Sequence, residues 1–191
     1  IYTLSLHDAL PILRQLEGLS LVVGLAVMHT LRGLGVPQAG LKWPNDVLVG
    51  HGKIAGILLE LVGDPADVCH VVIGVGINVN MLATDKVDQQ WTSIRLVSGQ
   101  AVDRNALVAS LNDTLGHYLQ RHQFEGFAGI QAEWELHHLW QGCAVTLIAG
   151  AHEIVGTVAG IDGQGALRLK VGDEEHSYSG GELSLRLRDD S

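Results

Sequence analysis

The sequence predicts a mixed α/β domain followed by a small β-barrel. Residues 19–140 combine helical patterns with long hydrophobic runs, whereas residues 141–191 contain five short strand-like runs separated by glycine-containing turns. The chain has 191 residues and is 47% hydrophobic, which is enough to bury a core without disulfides. We therefore place the domain boundary near Gln141 and expect Trp140 to stabilise it.

The first domain begins with a helix predicted over residues 19–34. Its apolar residues recur at helical spacing, and a glycine-containing segment that precedes Pro37 ends it. Residues 41–49 are predicted to be extended and interrupted by a Pro-Asn-Asp turn. Residues 54–62 and 70–79 are rich in leucine and β-branched residues, which is typical of strands buried on both faces of a helix-covered sheet.

The remaining elements follow from local turn and cap signals. Gly63-Asp64-Pro65 is a turn short enough to join the two long strands as a hairpin. A second helix is predicted over residues 105–122 with Asp103 as its N-cap, and a third over residues 127–138. The strands predicted for the small domain cover residues 145–148, 154–159, 166–170, 175–178 and 183–187.

Composition excludes several classes of function. A net charge of −9 with only 12 lysines and arginines leaves no basic face for nucleic acid. The most apolar stretch, residues 19–28, is too short to span a bilayer, and the first residues lack the features of a signal peptide. Cys69 and Cys143 do not make a disulfide framework. These features predict a cytoplasmic protein without membrane or nucleic-acid partners.

The first candidate site is Lys42-Trp43-Pro44-Asn45-Asp46 followed by residues 53–60, Lys-Ile-Ala-Gly-Ile-Leu-Leu-Glu. A lysine at the start of a strand can neutralise a carboxylate or phosphate, and the amide and carboxylate of the turn can bind polar ligand groups. Gly56 would let a ligand approach the backbone. On residue types alone, an exposed turn with solvated lysines explains this pattern better than a ligand site.

The second candidate is Gly74-Val75-Gly76-Ile77-Asn78 at the end of a predicted strand. Glycines two apart leave one strand face without side chains, where a planar ligand could lie. The pattern is not a dinucleotide fingerprint, because Val79 occupies the third glycine position and no helix pattern follows directly. A glycine bulge in a core strand is an equally good explanation.

In this order, these motifs resemble those of the biotin protein ligases, also called biotin–acetyl-CoA-carboxylase ligases. The tail of residues 180–186, Gly-Gly-Glu-Leu-Ser-Leu-Arg, resembles the closing strand of that family's SH3-like domain. The resemblance covers residues 19–188. It implies a class II synthetase-like catalytic domain, present in part at residues 19–140, and an SH3-like domain at 141–191, with residues 1–18 outside the fold.

The resemblance implies a function as well as a fold. The family activates biotin with ATP and Mg²⁺ to biotinyl-5′-AMP and transfers it to a lysine of a biotin carboxyl carrier protein. Lys53 is implied to be catalytic, between the biotin carboxylate and the α-phosphate. The implied biotin site comprises Lys53, Gly56, Ile57, Leu58, Gly74 and Val75. The implied nucleotide site comprises Lys42, Asn45, Asp46, Asn78, Trp91 and Arg186, with no metal ligand assigned.

Two family elements that grip biotin and shield the adenylate, a Ser/Thr-Asn element and a Gly-Arg-Gly-Arg loop, do not occur in this sequence. Because the chain begins at Ile1 and only Arg14 precedes Leu19 among its arginines, we expect a truncated ligase. Such a chain should bind biotin and MgATP weakly and label a carrier slowly. Two alternatives remain open: a lipoate ligase or transferase, and a non-enzymatic scaffold or homodimerisation fragment that pairs through sheet edges.

Overall fold

The computed structural model describes residues 2–6, 16–63, 69–83, 89–179 and 183–188. The elements of the first domain are β1 (Tyr2–Leu6), α1 (Leu19–Gly33), β2 (Gly40–Lys42), β3 (Asp46–Val49), β4 (Gly52–Gly63), β5 (Cys69–Ile77), α2 (Ile94–Ser98), α3 (Arg104–Glu125), a 3₁₀ turn (Phe127–Gly129) and α4 (Gln131–Leu136). Those of the second are β6 (Ala144–Ala149), β7 (His152–Ile161), β8 (Leu167–Val171), β9 (Glu174–Tyr178) and β10 (Leu183–Leu187).

Each domain contains one five-stranded antiparallel sheet. The strand orders are β1-β5-β4-β3-β2 and β10-β6-β7-β8-β9. The fold class is therefore confirmed, although every described ladder of the first sheet runs antiparallel rather than in mixed directions. No helix of the described residues is long and apolar enough to cross a membrane.

Helix α1 is the centre of the first domain. It lies between β2, β3 and β4 on one side and α3 on the other, which explains why its residues are apolar around the whole helix. Helix α3 buries a single stripe that includes Leu107, Leu111 and Leu115. Its predicted N-cap is confirmed, because Asp103 Oδ1 accepts a hydrogen bond of 2.9 Å from the Asn105 N–H.

Three predictions need correction. The third helix is divided into the 3₁₀ turn and α4. The expectation that β4 is buried on both faces is wrong: α1 covers one face only, so Ile57 is 3% exposed whereas Leu58 is 60% exposed. The lead-in of residues 1–18 was expected to lie outside the fold, but Tyr2–Leu6 pairs with β5 as an edge strand. Edge pairing uses backbone groups, so side-chain motifs did not predict it.

The five strands predicted for the small domain are confirmed, and the change from helices to strands falls between α4 and β6. Helix α4 is bound to the end of β7, where Gln131 donates to the Ile161 carbonyl at 2.7 Å and the Ile161 N–H donates to Glu135 at 2.8 Å. These bonds satisfy both backbone groups of one residue and join the domains. Asp64 and Pro65 of the predicted hairpin turn, and residues 7–15 and 180–182, lie outside the described residues.

Candidate functional site

A carboxylate shared by two lysines lies at the β2–β3 hairpin. Lys42 and Asp46 are direct register partners, and Lys42 Nζ lies 3.1 Å from Asp46 Oδ2. Lys53 Nζ, from β4, lies 2.5 Å from Asp46 Oδ1. Asp46 is only 9% exposed, so its charge needs these partners. We call Lys42, Asp46 and Lys53 the charge triad; its net charge of one positive unit favours binding of an anion.

The turn between the two strands is held from both sides. Trp43 is buried, and its Nε1 donates a hydrogen bond of 3.1 Å to the Gly165 carbonyl in the small domain. Asn45 Nδ2 donates to the Ile57 carbonyl at 2.8 Å, and the Ile57 N–H donates to the Asn45 carbonyl at 2.9 Å. The Asn45 amide nitrogen thus binds β4, and the predicted nucleotide contact of this residue stays a prediction.

The pairing of β4 with β5 decides which predicted biotin-site residues lie on the face of the sheet away from α1. Gly56 lies opposite Gly76, and Leu58 lies opposite Gly74. Directly paired residues share a face, so these four lie on the side away from α1, which we call the open face. Ile57 lies opposite Val75 and is buried in the core, against which Val75 also packs. Ile57 and Val75 therefore direct their side chains away from the open face.

Gly56 provides the space for the Lys53 ammonium group. A Cβ atom at Gly56 would lie 3.0 Å from both Cε and Nζ of Lys53 and 3.6 Å from Asp46 Oδ1. The same addition at Gly76 would meet, among the described residues, only the Gly56 carbonyl oxygen, at 3.9 Å. Gly56 thus has a role that its sequence motif did not reveal, because it makes room for a charged side chain of its own strand.

Four predicted site residues line one cleft of about 420 Å³. They are Lys53, Gly56, Asn78 and Trp91, and Gly76 lies beside them. The Lys53 N–H donates to the Gln90 carbonyl and the Thr92 N–H donates to the Lys53 carbonyl, both at 3.0 Å. This pairing fixes the backbone on both sides of Trp91. We call this cleft the glycine cleft.

Asn78 connects the walls of the glycine cleft. Its Nδ2 donates to the Lys53 carbonyl at 3.2 Å and to the Thr92 carbonyl at 3.0 Å. Its backbone N–H donates to the Ile54 carbonyl at 2.9 Å. Asn78 therefore holds the start of β4 against the segment that carries Trp91, and the predicted nucleotide contact of its side chain stays a prediction.

A second cleft of about 510 Å³ lies at the junction of the two domains, and we call it the cationic cleft. Lys42, Asp46, Lys53 and Arg186 line it, so strand β10 brings the predicted arginine into the same cleft as the charge triad. The two clefts share Lys53 and Gln89. The sequence analysis missed His51, Gln89 and Gln90 and gave Trp140 no site role; these residues belong to no recognised motif, and only their position reveals them.

Comparison with known proteins identifies relatives of this chain. Residues 1–78 match the family described as "Biotin/lipoate A/B protein ligase family", and residues 142–186 match "Biotin protein ligase C terminal domain". The chain is 40% identical over 171 residues to the bifunctional ligase/repressor BirA of Escherichia coli, covering 88% of this chain and 53% of that protein. It is 38% identical over 169 residues to a biotin--[acetyl-CoA-carboxylase] ligase of Mycobacterium tuberculosis, covering 86% and 61%.

Solved structures show the same fold. The chain matches the apo biotin protein ligase of Aquifex aeolicus with a TM-score of 0.83 and 27% identity, over 97% of this chain and 82% of that one. It matches the complex of that ligase with biotin and ATP with a TM-score of 0.82 and 27% identity, over 97% and 78%. The chain spans about half the length of the E. coli relative.

Proposed function

Because the chain belongs to the biotin protein ligase family, we propose that the protein activates biotin with ATP and transfers it to a lysine of a biotin carrier protein. The observation that supports this most directly is the position of Lys53, which lines both the glycine cleft and the cationic cleft. A cation shared by two clefts suits a reaction that joins two anionic substrates.

The first proposed step forms biotinyl-5′-AMP. A biotin carboxylate oxygen attacks the α-phosphorus of ATP, the new C(O)–O–P bond replaces the α–β phosphoanhydride bond, and pyrophosphate leaves. Two anions approach one another in this step, so the ammonium of Lys53 lowers their repulsion and stabilises the charge that develops on the phosphoryl oxygens. In the second step a carrier lysine amine attacks the acyl carbon, forming an amide and releasing AMP.

The proposal places biotin over the open face and the nucleotide towards the domain junction. Gly56 and Gly74 lack side chains there, so a bicyclic ring can approach the backbone, and the exposed Leu58 offers apolar contact. Trp91 offers an aromatic surface for adenine. Lys42 and Arg186 add positive charge in the cationic cleft, where phosphate groups would lie.

In the proposed reaction Mg²⁺ binds together with ATP, as the MgATP complex. Among the described residues, no group of three or more histidine, cysteine or acidic side chains could hold a metal, and both oxygens of Asp46 bind lysines. Mg²⁺ is commonly bound through substrate phosphates and few protein ligands, and Asp46 is the carboxylate closest to where those phosphates would lie. Since ATP is an intracellular substrate, the proposal also implies a cytoplasmic protein.

The test measures adenylate formation and carrier labelling. The purified protein is incubated with biotin and MgATP; pyrophosphate release and the mass of biotinyl-AMP report the first step, and a streptavidin blot of a carrier domain reports the second. Lys53→Ala should lower adenylate formation by roughly 10²–10³-fold. Lys53→Arg should restore little, because a planar guanidinium does not replace an ammonium group. Lys170→Ala is the control, since Lys170 is exposed on β8 and lines neither cleft.

The outcomes separate the alternatives. Biotinyl-AMP that depends on Lys53 supports the ligase. Formation of lipoyl-AMP in a parallel reaction with lipoate, without biotinyl-AMP, would show that the protein is a lipoate ligase instead. No adenylate from either acid would leave the scaffold alternative, and equal rates for Lys53→Ala and Lys170→Ala would refute the role of Lys53.

A further inference from the structure

Trp140 lies in the connection between the domains, and its ring is next to Lys42, the more buried of the two lysines in the charge triad. Lys42 Nζ is 5.2 Å from the centre of the Trp140 ring, and the Lys42 side chain is only 11% exposed. We infer that Trp140 is a positioning residue: its ring and the Asp46 carboxylate together hold the Lys42 ammonium in the cationic cleft. Only the nucleotide-binding consequence of this inference rests on the proposed function.

The backbone holds Trp140 in place on both sides. The Leu41 N–H donates to the His137 carbonyl and the Leu139 N–H donates to the Leu41 carbonyl, both at 2.9 Å. The segment before Trp140 is thereby bound alongside β2, next to Lys42. The Cys143 N–H donates to the Trp140 carbonyl at 3.0 Å, which fixes the segment after it. The tryptophan is therefore held beside the lysine independently of any ligand.

The charge and burial of Lys42 explain why a ring is useful at this position. The Asp46 carboxylate is shared, because Lys53 also binds it, so Lys42 does not have a counter-ion to itself. A partly buried ammonium gains from contact with the negatively charged face of an indole, and the contact restricts the rotamers of a long, flexible side chain. The result is an ammonium group that is already oriented in the cleft before an anion binds.

The position of Trp140 also connects the small domain to the charge triad. Trp140 lines the cationic cleft together with Arg186 and Leu187 of β10. Residues of both domains therefore line the cleft that Lys42 also lines. An apolar wall alone would be provided equally well by leucine or methionine, whereas the proposed role requires an aromatic face. This difference makes the inference testable.

The experiment compares Trp140→Phe with two apolar variants, Trp140→Leu and Trp140→Met, in the full chain. Lysine amines are labelled briefly with acetic anhydride, and peptide mass spectrometry gives the labelling rate of Lys42 relative to the exposed Lys170. We expect Lys42 to be labelled about three- to tenfold faster in the apolar variants and close to the wild-type rate in Trp140→Phe. Titration with MgATP should show a dissociation constant raised by a similar factor in the apolar variants and restored by phenylalanine. Thermal denaturation identifies any variant that fails to fold.

Each outcome supports or overturns the inference. Equal Lys42 labelling rates in the wild type and in the folded apolar variants overturn it. The inference is also overturned if Lys42 is labelled as fast in Trp140→Phe as in Trp140→Leu, since an aromatic ring would then give no protection. If labelling of Lys42 depends on an aromatic ring but the wild type does not bind MgATP, the positioning role is supported and the proposed nucleotide site fails. A ring-dependent change in both measurements supports the whole inference.

Discussion

Acid should destabilise this protein through one buried histidine at the end of the first domain. His138 is 5% exposed and lies against Trp134, with the ring centres 4.7 Å apart. Neither ring nitrogen has a hydrogen-bond partner of good geometry among the described residues. Burial lowers the pKa of His138 to about 4, and the nearby Gln141 side chain offsets only part of this effect.

The sign of the effect follows from proton linkage. In the unfolded chain the imidazole has its ordinary pKa of 6.5, so between about pH 6.5 and 4 the unfolded state binds a proton that the folded state does not. The free energy of unfolding therefore rises with pH in this window, and stability present above pH 6.5 is lost as the pH falls towards 4. The lowered pKa corresponds to a loss on the order of 2–3 kcal/mol between pH 7.5 and 4.5.

The assay is urea denaturation followed by circular dichroism at pH 7.5, 6.5, 5.5 and 4.5. His138→Leu removes the buried ionisable group while keeping a similar volume. Between pH 7.5 and 4.5 its free energy of unfolding should therefore fall less than that of the wild type, by a margin on the order of 2–3 kcal/mol. His152→Gln, at an exposed position, should follow the wild type. Some pH dependence should remain in His138→Leu, because burial also lowers the pKa of His122, an effect that its hydrogen bond with the Glu17 carbonyl partly opposes. Parallel curves for the wild type and His138→Leu would show that His138 is not the acid-sensitive group.

Two further substitutions test the geometry around the charge triad. Gly56→Ala places a Cβ 3.0 Å from the Lys53 ammonium, so Lys53 should be displaced and labelled faster by acetic anhydride, at a cost to folding below about 1 kcal/mol because a lysine side chain can move. In Gly76→Ala the new Cβ meets no atom of the described part of the chain closer than 3.9 Å, so Lys53 labelling should be unchanged. Equal labelling in both variants would contradict the steric explanation. Trp43→Phe removes the hydrogen bond to the Gly165 carbonyl, so the free energy of unfolding should fall by about 1–2 kcal/mol. The melting temperature should then be lower by roughly 2–8 °C. An unchanged melting temperature would show that this bond does not stabilise the domain contact.

Local patterns predicted most of the elements correctly. The apolar residues of α1 and the Asp103 cap of α3 are signals confined to a few turns of chain, and both helices are present. The glycine turns of the small domain likewise defined its five strands. Strand β1 carried no such signal, because an edge strand is selected by the unpaired backbone of its neighbour rather than by its own side chains.

The candidate site was predicted less completely, because a motif identifies residue types but not the direction in which they point. Gly56 and Leu58 lie on the open face of β4, where a ligand was predicted, but their neighbour Ile57 faces the core. Alternation along a strand makes one residue face the open side of the sheet and the next face α1. The strand's own sequence did not show which set was which, since it is apolar at both sets of positions.

The sequence by itself determined the fold class, the family resemblance and the presence of two lysines near a turn, because these depend on composition, local periodicity and short motifs. Only the tertiary structure decided that Lys42 and Lys53 share Asp46 and that Trp140 lies beside Lys42. Trp140 is distant from Lys42 along the chain. Asp46 is close to both lysines in the sequence, but it meets them only because β2, β3 and β4 pair in one register, so these contacts depend on strand register and on how the two domains meet. Neither of those is encoded by any single segment, since each is the result of burying all the apolar faces at once.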